Sequence, residues 1–339
     1  MKQVRLYGIQ DLRIVDVPMP EAGPLDVIVK VAMFGICGSD LGFARDGYIG
    51  RPGGQPLPLG HELVGTVHAV GSDVKNIQPG LRVVVDPMKG SSRIGTGDPD
   101  HGGFAEYLLV RNARLGETLF PLTDSLDFQR AVLTEPIAVG MHGLNQAGVN
   151  TQDRAVVFGA GPIGLGVIAA LKYRGVSKVV AVDLTDERLE RARQLGADHV
   201  INPGRADLQS TLQEYLGMRT AKLTGLPVVD ASLYIDCAGH GPLLEQMVDM
   251  AGEKSRIVVL ATHKKPVQLN MIQVMIKELV LIGSLSYPDE FPEVIEMLSD
   301  SQLDITPMLS HSFDFAQFAE AFAMAQVPEL SAKVVVRVA

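Results

Sequence analysis

Over the first 120 residues the apolar positions fall in short β-branched runs, at 27–31, 64–70 and 82–85, each closed by Pro, Gly, Asn or Asp. Runs of that length between turn formers predict strands and a compact, strand-rich domain. Residues 87–106 are rich in Gly, Ser, Pro and Asp, show no apolar period and predict a surface loop. From about Ser125 the period lengthens. Leu126, Ala131, Val132, Ile137, Met141 and Leu144 sit at helical spacing, with Pro136 expected to interrupt them, and here the chain is expected to pass between domains.

Beyond 150 the pattern becomes an alternation. Apolar runs at 155–158, 178–182, 233–235 and 256–260 are separated by helical segments such as 186–197, which predicts an α/β unit with a doubly wound parallel sheet. Residues 290–303 and 315–326 read as helices and 332–339 as a closing strand that rejoins the first domain. The expected organisation is therefore a domain of residues 1–144 with 286–339 and a second domain of 145–285.

Composition narrows the function. Hydrophobic residues make up 46% of the 339 positions and charged ones 20%, globular values with room for two cores. A net charge of −9 argues against a phosphate-backbone binder, so no nucleic-acid partner is expected. The two cysteines, Cys37 and Cys237, form no CxxC pair, which suits a reducing, cytoplasmic setting. The first residues carry no apolar core of the signal-peptide kind. The longest uncharged stretch, 155–171, is short for a membrane span and is broken by Gly159, Gly161, Pro162, Gly164 and Gly166, so no membrane partner is expected.

That stretch carries the first functional motif. Gly159-Ala160-Gly161-Pro162-Ile163-Gly164 follows a strand and opens a helix, where glycines allow a tight turn and bring a pyrophosphate onto main-chain N–H groups. At the end of the next strand stands Asp183, placed to accept hydrogen bonds from adenosine ribose hydroxyls. Leu184, Thr185 and Asp186 offer no cation for a 2′-phosphate, so NAD is expected over NADP. In the helix that follows, Glu187 and Arg191 read as an i,i+4 pair on a solvated face.

Gly35-Ile36-Cys37-Gly38-Ser39-Asp40 and Gly60-His61-Glu62 offer a thiolate, an imidazole and carboxylates, the donor mixture of a catalytic zinc (Zn) site. With the glycine loop behind them, these segments resemble the zinc-dependent medium-chain alcohol dehydrogenases. The family signature G-H-E-x2-G-x5-G-x2-V is met by Gly60, His61, Glu62, Gly65, Gly71 and Val74, and Gly102-Gly103-Phe104-Ala105-Glu106-Tyr107 and Glu135-Pro136 with Gly140 extend the similarity over essentially the whole chain. The resemblance implies a GroES-like catalytic domain and a Rossmann domain. It also implies one catalytic zinc per subunit surrounded by Cys37, His61 and the Glu135 position, with Glu62 either binding the metal or supporting catalysis from behind it.

The activity so implied is reversible hydride transfer between NAD and a secondary alcohol or polyol hydroxyl. Alternatives are a sugar-acid or amino-alcohol dehydrogenase, a zinc-free reductase of the same fold, and a non-catalytic dinucleotide-binding or redox-sensing protein. Many relatives carry a second, structural zinc on four cysteines; this chain has no cysteine in the corresponding lobe, like the sorbitol-dehydrogenase-like branch. It departs from that branch at Ser286-Tyr287, typically Arg-Tyr, and at Phe43, typically Tyr. Ser39 fits the family's first proton carrier, but Gly42 stands where a terminal histidine is common. Phe43, Tyr48, Phe104 and Tyr287 are candidates to line the pocket, His101 to lie near it, and Cys237 to be core. The other histidines, among them His142 and His263, carry no assignment. A homodimer or homotetramer is implied, with 277–285 as an apolar sheet edge.

Overall fold

The computed structural model describes residues 1–47, 55–90 and 93–338, so Tyr48 lies outside the described residues. The chain forms two units. One comprises Met1–Pro136, Phe291–Gln302 and Leu309–Ala339, the other Ile137–Glu290 and Leu303–Met308. The divisions fall at 136 and 290 rather than at 144 and 285. Glu290 stays with the second unit because its carboxylate meets His142 Nδ1 at 2.8 Å and accepts from Asn145 at 3.2 Å. Residues 303–308 join that unit too, where Arg191 donates to the Pro307 carbonyl at 3.0 Å.

In the first unit a seven-stranded sheet runs in the order Leu309–Asp314, Lys333–Arg337, Val27–Gly35, Glu62–Val70, Arg82–Val85 and Leu119–Pro121, with Tyr107–Val110 also paired to Val27–Gly35. Val27–Gly35 sits at the centre, and seven of its nine residues are buried, which is why its sequence is nearly all apolar. The chain's last strand lies antiparallel beside it, pairing Val335 with Gly35. Val29, Val31, Phe34, Leu63, Val83 and Val336 belong to one core cluster, and Phe104 packs there against Phe34 and Phe318 at 4.7 and 5.2 Å. Phe104 is therefore a packing aromatic and not a pocket residue.

Two expectations for this unit need correction. Pro136 does not interrupt a helix. It lies in the first turn of Thr134–Gln146, where its missing N–H has no partner to lose. The stretch from Asp86 to Glu106 is not a surface loop throughout. Asp86, Ile94, Asp98 and Phe104 are buried, because polar side chains there bond to the main chain of their own loop. Asp98 Oδ1 accepts the amides of Asp100 and His101 at 2.8 and 2.9 Å and lies 3.1 Å from His101 Nδ1.

The second unit is built on a parallel sheet in the order His199–Ile201, Lys178–Val182, Arg154–Phe158, Leu233–Asp236, Arg256–Val259 and Val280–Gly283. The strand order reverses between Arg154–Phe158 and Leu233–Asp236, the point at which doubly wound sheets open a crevice for ligands. The uncharged stretch resolves into the strand Arg154–Phe158 and the helix Pro162–Tyr173, in which residues 164–171 are all buried. Val280–Gly283 closes one side as an exposed edge, with Val280 and Leu281 at 48% and 38% exposure. No helix among the described residues is long and apolar enough to cross a membrane.

Candidate active site

The fold of the first unit gathers Cys37, His61 and Glu62, whose donor atoms all lie within 4.8 Å of one another. Cys37 is the N-cap of the helix Gly38–Asp46, so its sulfur stands at the positive end of the helix dipole. Asp40, fully buried in the first turn, accepts the Cys37 N–H at 2.9 Å and points its other oxygen at His61 Nδ1, 3.6 Å away. His61 follows Gly60, whose φ of +93° and contact with the Phe104 ring leave no room for a side chain. Ser39 Oγ lies 3.4 Å from His61 Nε2, at the exposed side of the cluster.

Behind these donors lies a residue that the sequence analysis missed. Lys333 Nζ sits between both oxygens of Glu62, at 2.5 and 2.7 Å, and donates to the Ile36 carbonyl at 3.1 Å, with lysine and glutamate both essentially without solvent contact. The sheet makes this contact possible. Gly35 pairs with Glu62 on one side and with Val335 on the other, and a Cβ on Gly35 would stand 2.0 Å from Glu62 Oε2. The glycine is a gap across which the lysine reaches. Burial opposes the Lys333 charge, but the field of Glu62, followed by those of Cys37 and Glu135, raises its pKa above the usual lysine value. Glu135 is buried in the first turn of Thr134–Gln146 and is not among the three clustered donors.

The electrostatics of the cluster ask for a cation. Burial would lower the His61 pKa, yet the charges of Asp40 and Cys37 outweigh it and hold it well above the ordinary imidazole value. Nδ1 of His61 and Oδ1 of Asp40 are both buried without a hydrogen-bond partner among the described residues. A thiolate, an imidazole and carboxylates with orphaned buried atoms fit a zinc ion, which supplies the positive charge that the proton otherwise provides.

In the second unit each glycine of the loop has its own reason. Gly159 adopts φ +94°, a Cβ on Gly164 would lie 1.8 Å from the Gly159 carbonyl oxygen, and Gly161 caps the helix Pro162–Tyr173. A Cβ on Gly161 would meet nothing nearer than Arg188 Nη1 at 3.7 Å, so the main chain there is open to a ligand. Pro162 and Ile163 form the first turn, whose N–H groups and dipole suit a pyrophosphate. Asp183 is held in place by the amides of Ala160 and Thr185, at 2.7 and 2.8 Å, and keeps acceptor capacity for ribose hydroxyls. This cradle fits a dinucleotide. Arg188 was passed over as part of a solvated helix face, although it lies on the first turn and a half after Asp183 and reaches the loop.

The remaining candidates separate. His101 turns its ring to Asp98, while its carbonyl accepts from Gly95 and the Gly103 amide donates to Gly60, so the loop abuts the His61 segment. Tyr287 is buried in the second unit and Phe43 packs on the first unit's core. Cys237 is half-buried against Gly164; burial, and then the charge of Asp236, push its thiol pKa up.

Residues 23–120 match the alcohol dehydrogenase GroES-like domain and residues 162–300 the zinc-binding dehydrogenase family. The chain is 30% identical to the sorbitol dehydrogenase of Mus musculus over 95% of its own length and 91% of the relative's. It belongs to the zinc-dependent medium-chain alcohol dehydrogenases. Within that family this dehydrogenase is sorbitol-dehydrogenase-like. Its structure superposes with a TM-score of 0.88 on the 2R,3R-butanediol dehydrogenase of Bacillus subtilis, at 28% identity and 99% coverage of each chain. An Escherichia coli alcohol dehydrogenase in complex with NADH is similar at a TM-score of 0.87 and 29% identity, again over 99% of each chain.

Proposed function

We propose that this dehydrogenase transfers hydride reversibly between NAD and a secondary alcohol or polyol, using one zinc per subunit. The observation that carries the reading is the convergence of Cys37, His61 and Glu62 within 4.8 Å in a chain that also holds an open glycine cradle. Zinc bound there acts as a Lewis acid, lowering the pKa of an alcohol hydroxyl or polarising a carbonyl.

The protein's own residues define how that acid is held. Cys37 and His61 are the fixed donors, and Asp40 orients both. Glu62 lies among the three convergent donors, but Lys333 engages both its oxygens, so Glu135 would serve as the third ligand and Glu62 as an alternative donor. Ser39, beside His61 and exposed, is the first carrier for the hydroxyl proton. In the nucleotide unit Gly159, Gly161, Pro162, Ile163 and Gly164 seat the pyrophosphate, and Asp183 selects NAD by repelling a 2′-phosphate. The exposed edge Val280–Gly283 supports a homo-oligomer built through this sheet, and a thiolate ligand suits the reducing cytoplasm.

The test is elemental analysis together with NADH formation on a panel of vicinal diols, polyols and sugar acids. One zinc per subunit and turnover of a diol or polyol are expected. Zinc-loaded protein that binds NADH and oxidises none of them would overturn the reading.

A further inference from the structure

Asp236 ends the strand Leu233–Asp236 and is wholly buried. Its Oδ1 accepts the amides of Ala238 and Gly239, each at 3.0 Å, and its main-chain carbonyl accepts those of Leu260 and Ala261. Its Oδ2 lies 2.6 Å from Nε2 of His263, whose side chain is 14% exposed. The buried carboxylate accepts the Nε2 proton, which leaves Nδ1 as the ring's second hydrogen-bonding atom, turned away from Asp236. Among the described residues that Nδ1 has no hydrogen-bond partner.

The position of the pair gives this free ring nitrogen a meaning. In a sheet of this order the two nucleotides of a dinucleotide lie on either side of the reversal point, outside the carboxyl ends of the strands. Asp183 ends the strand Lys178–Val182 side and marks the adenosine half. Asp236 and His263 follow Leu233–Asp236 and Arg256–Val259 on the opposite side. Close packing joins this place to the glycine loop. A Cβ on Gly159 would lie 3.0 Å from Ala238 N, and one on Gly239 would lie 2.9 Å from the Thr262 carbonyl oxygen. The segments 237–239 and 260–263 thus form one layer beside the pyrophosphate turn.

We propose that His263, aimed by Asp236, is a cofactor-binding residue for the nicotinamide half, its Nδ1 hydrogen-bonding a ribose hydroxyl or the carboxamide. The inference rests on the reading that the second unit binds NAD.

The experiment is equilibrium titration of the full chain with NADH, ADP-ribose and AMP. His263→Ala should raise the Kd for NADH roughly five- to tenfold, the weight of one hydrogen bond, and leave AMP binding unchanged. A parallel loss for ADP-ribose assigns the contact to the ribose; an unchanged ADP-ribose Kd assigns it to the carboxamide. Asp236→Asn keeps an oxygen for the Ala238 and Gly239 amides but places an NH2 against Nε2. It should weaken NADH without weakening AMP. Unchanged NADH binding in His263→Ala, or equal losses for NADH and AMP, would overturn the inference while the NAD reading stands. Failure of the unaltered protein to bind NADH at all would instead overturn that reading.

Discussion

Around Cys37 and His61 the binding groups are side chains, mostly buried, whereas around Gly161 they are main-chain amides left open because side chains are missing. The first site answers a small, doubly charged ion and the second an extended ligand whose charge is spread over phosphates. Buried charges are unstable alone, so the first site needs counter-charges behind it, which Lys333 and Asp40 supply. A cradle of amides needs only a fixed backbone. The first site should therefore be sensitive to single side-chain changes, and the second should change its preferences before it fails.

The sharpest test of that contrast is Cys37→Ala. It should remove most of the zinc and reduce turnover to background, while NADH titration stays near its original Kd; joint loss of both would show that the two sites do not answer separately. Next in size is Lys333→Met, which strands the Glu62 carboxylate in the core. Breaking such a pair costs about 3–5 kcal/mol of stability, and Lys333→Met with Glu62→Gln should recover much of it, as denaturant unfolding would report. Ser39→Ala should lower kcat about 100-fold with zinc content unchanged, and near-normal turnover between about pH 6 and 10 would remove the hydroxyl from the proton's route.

A smaller effect belongs to the loop beside Gly60. Burial alone would raise the Asp98 pKa, but hydrogen bonds from the His101 ring and from the Asp100 and His101 amides overcome it and hold the carboxyl at about 2. Because the folded value lies below the unfolded one, the stabilisation is complete above about pH 4 and is lost as pH falls toward 2. Asp98→Asn should cost about 1 kcal/mol at neutral pH, after allowance for partial solvent screening, and flatten the melting temperature's dependence across that acid window. Of similar size, Asp183→Ser with Leu184→Arg should move cofactor preference toward NADP by about tenfold, near the 1.4 kcal/mol of one modest electrostatic contact. Equal use of NAD and NADP by the unaltered enzyme would break the assigned role of Asp183.

What could be read from sequence follows the same contrast. The glycine loop and Asp183 were legible because their requirements are local, set by one turn and the end of the next strand. Cys37 and His61 were legible through fixed spacing to neighbouring glycines. Lys333 was not, since it lies 271 residues from Glu62 and only the pairing of strands on either side of Gly35 brings them together. Nor was the bond between Asp236 and His263, which joins the ends of adjacent strands with no motif between them. Arg188 was hidden by its setting in DERLERAR, where a solvated face explains every charge. The loop from Asp86 misled by composition: Asp86 and Asp98 look like surface residues and instead bond inward to their own main chain.

That inward bonding has a consequence for the life of the enzyme. Arg111 approaches Asp98 and Asp100 at 3.6 Å each, so the lobe next to the metal donors is fastened by guanidinium, imidazole and carboxylate groups and by no sulfur. The chain has only two thiols, and one of them, Cys37, is at the catalytic donors. Metal scarcity or peroxide stress would therefore silence the enzyme without dismantling this lobe.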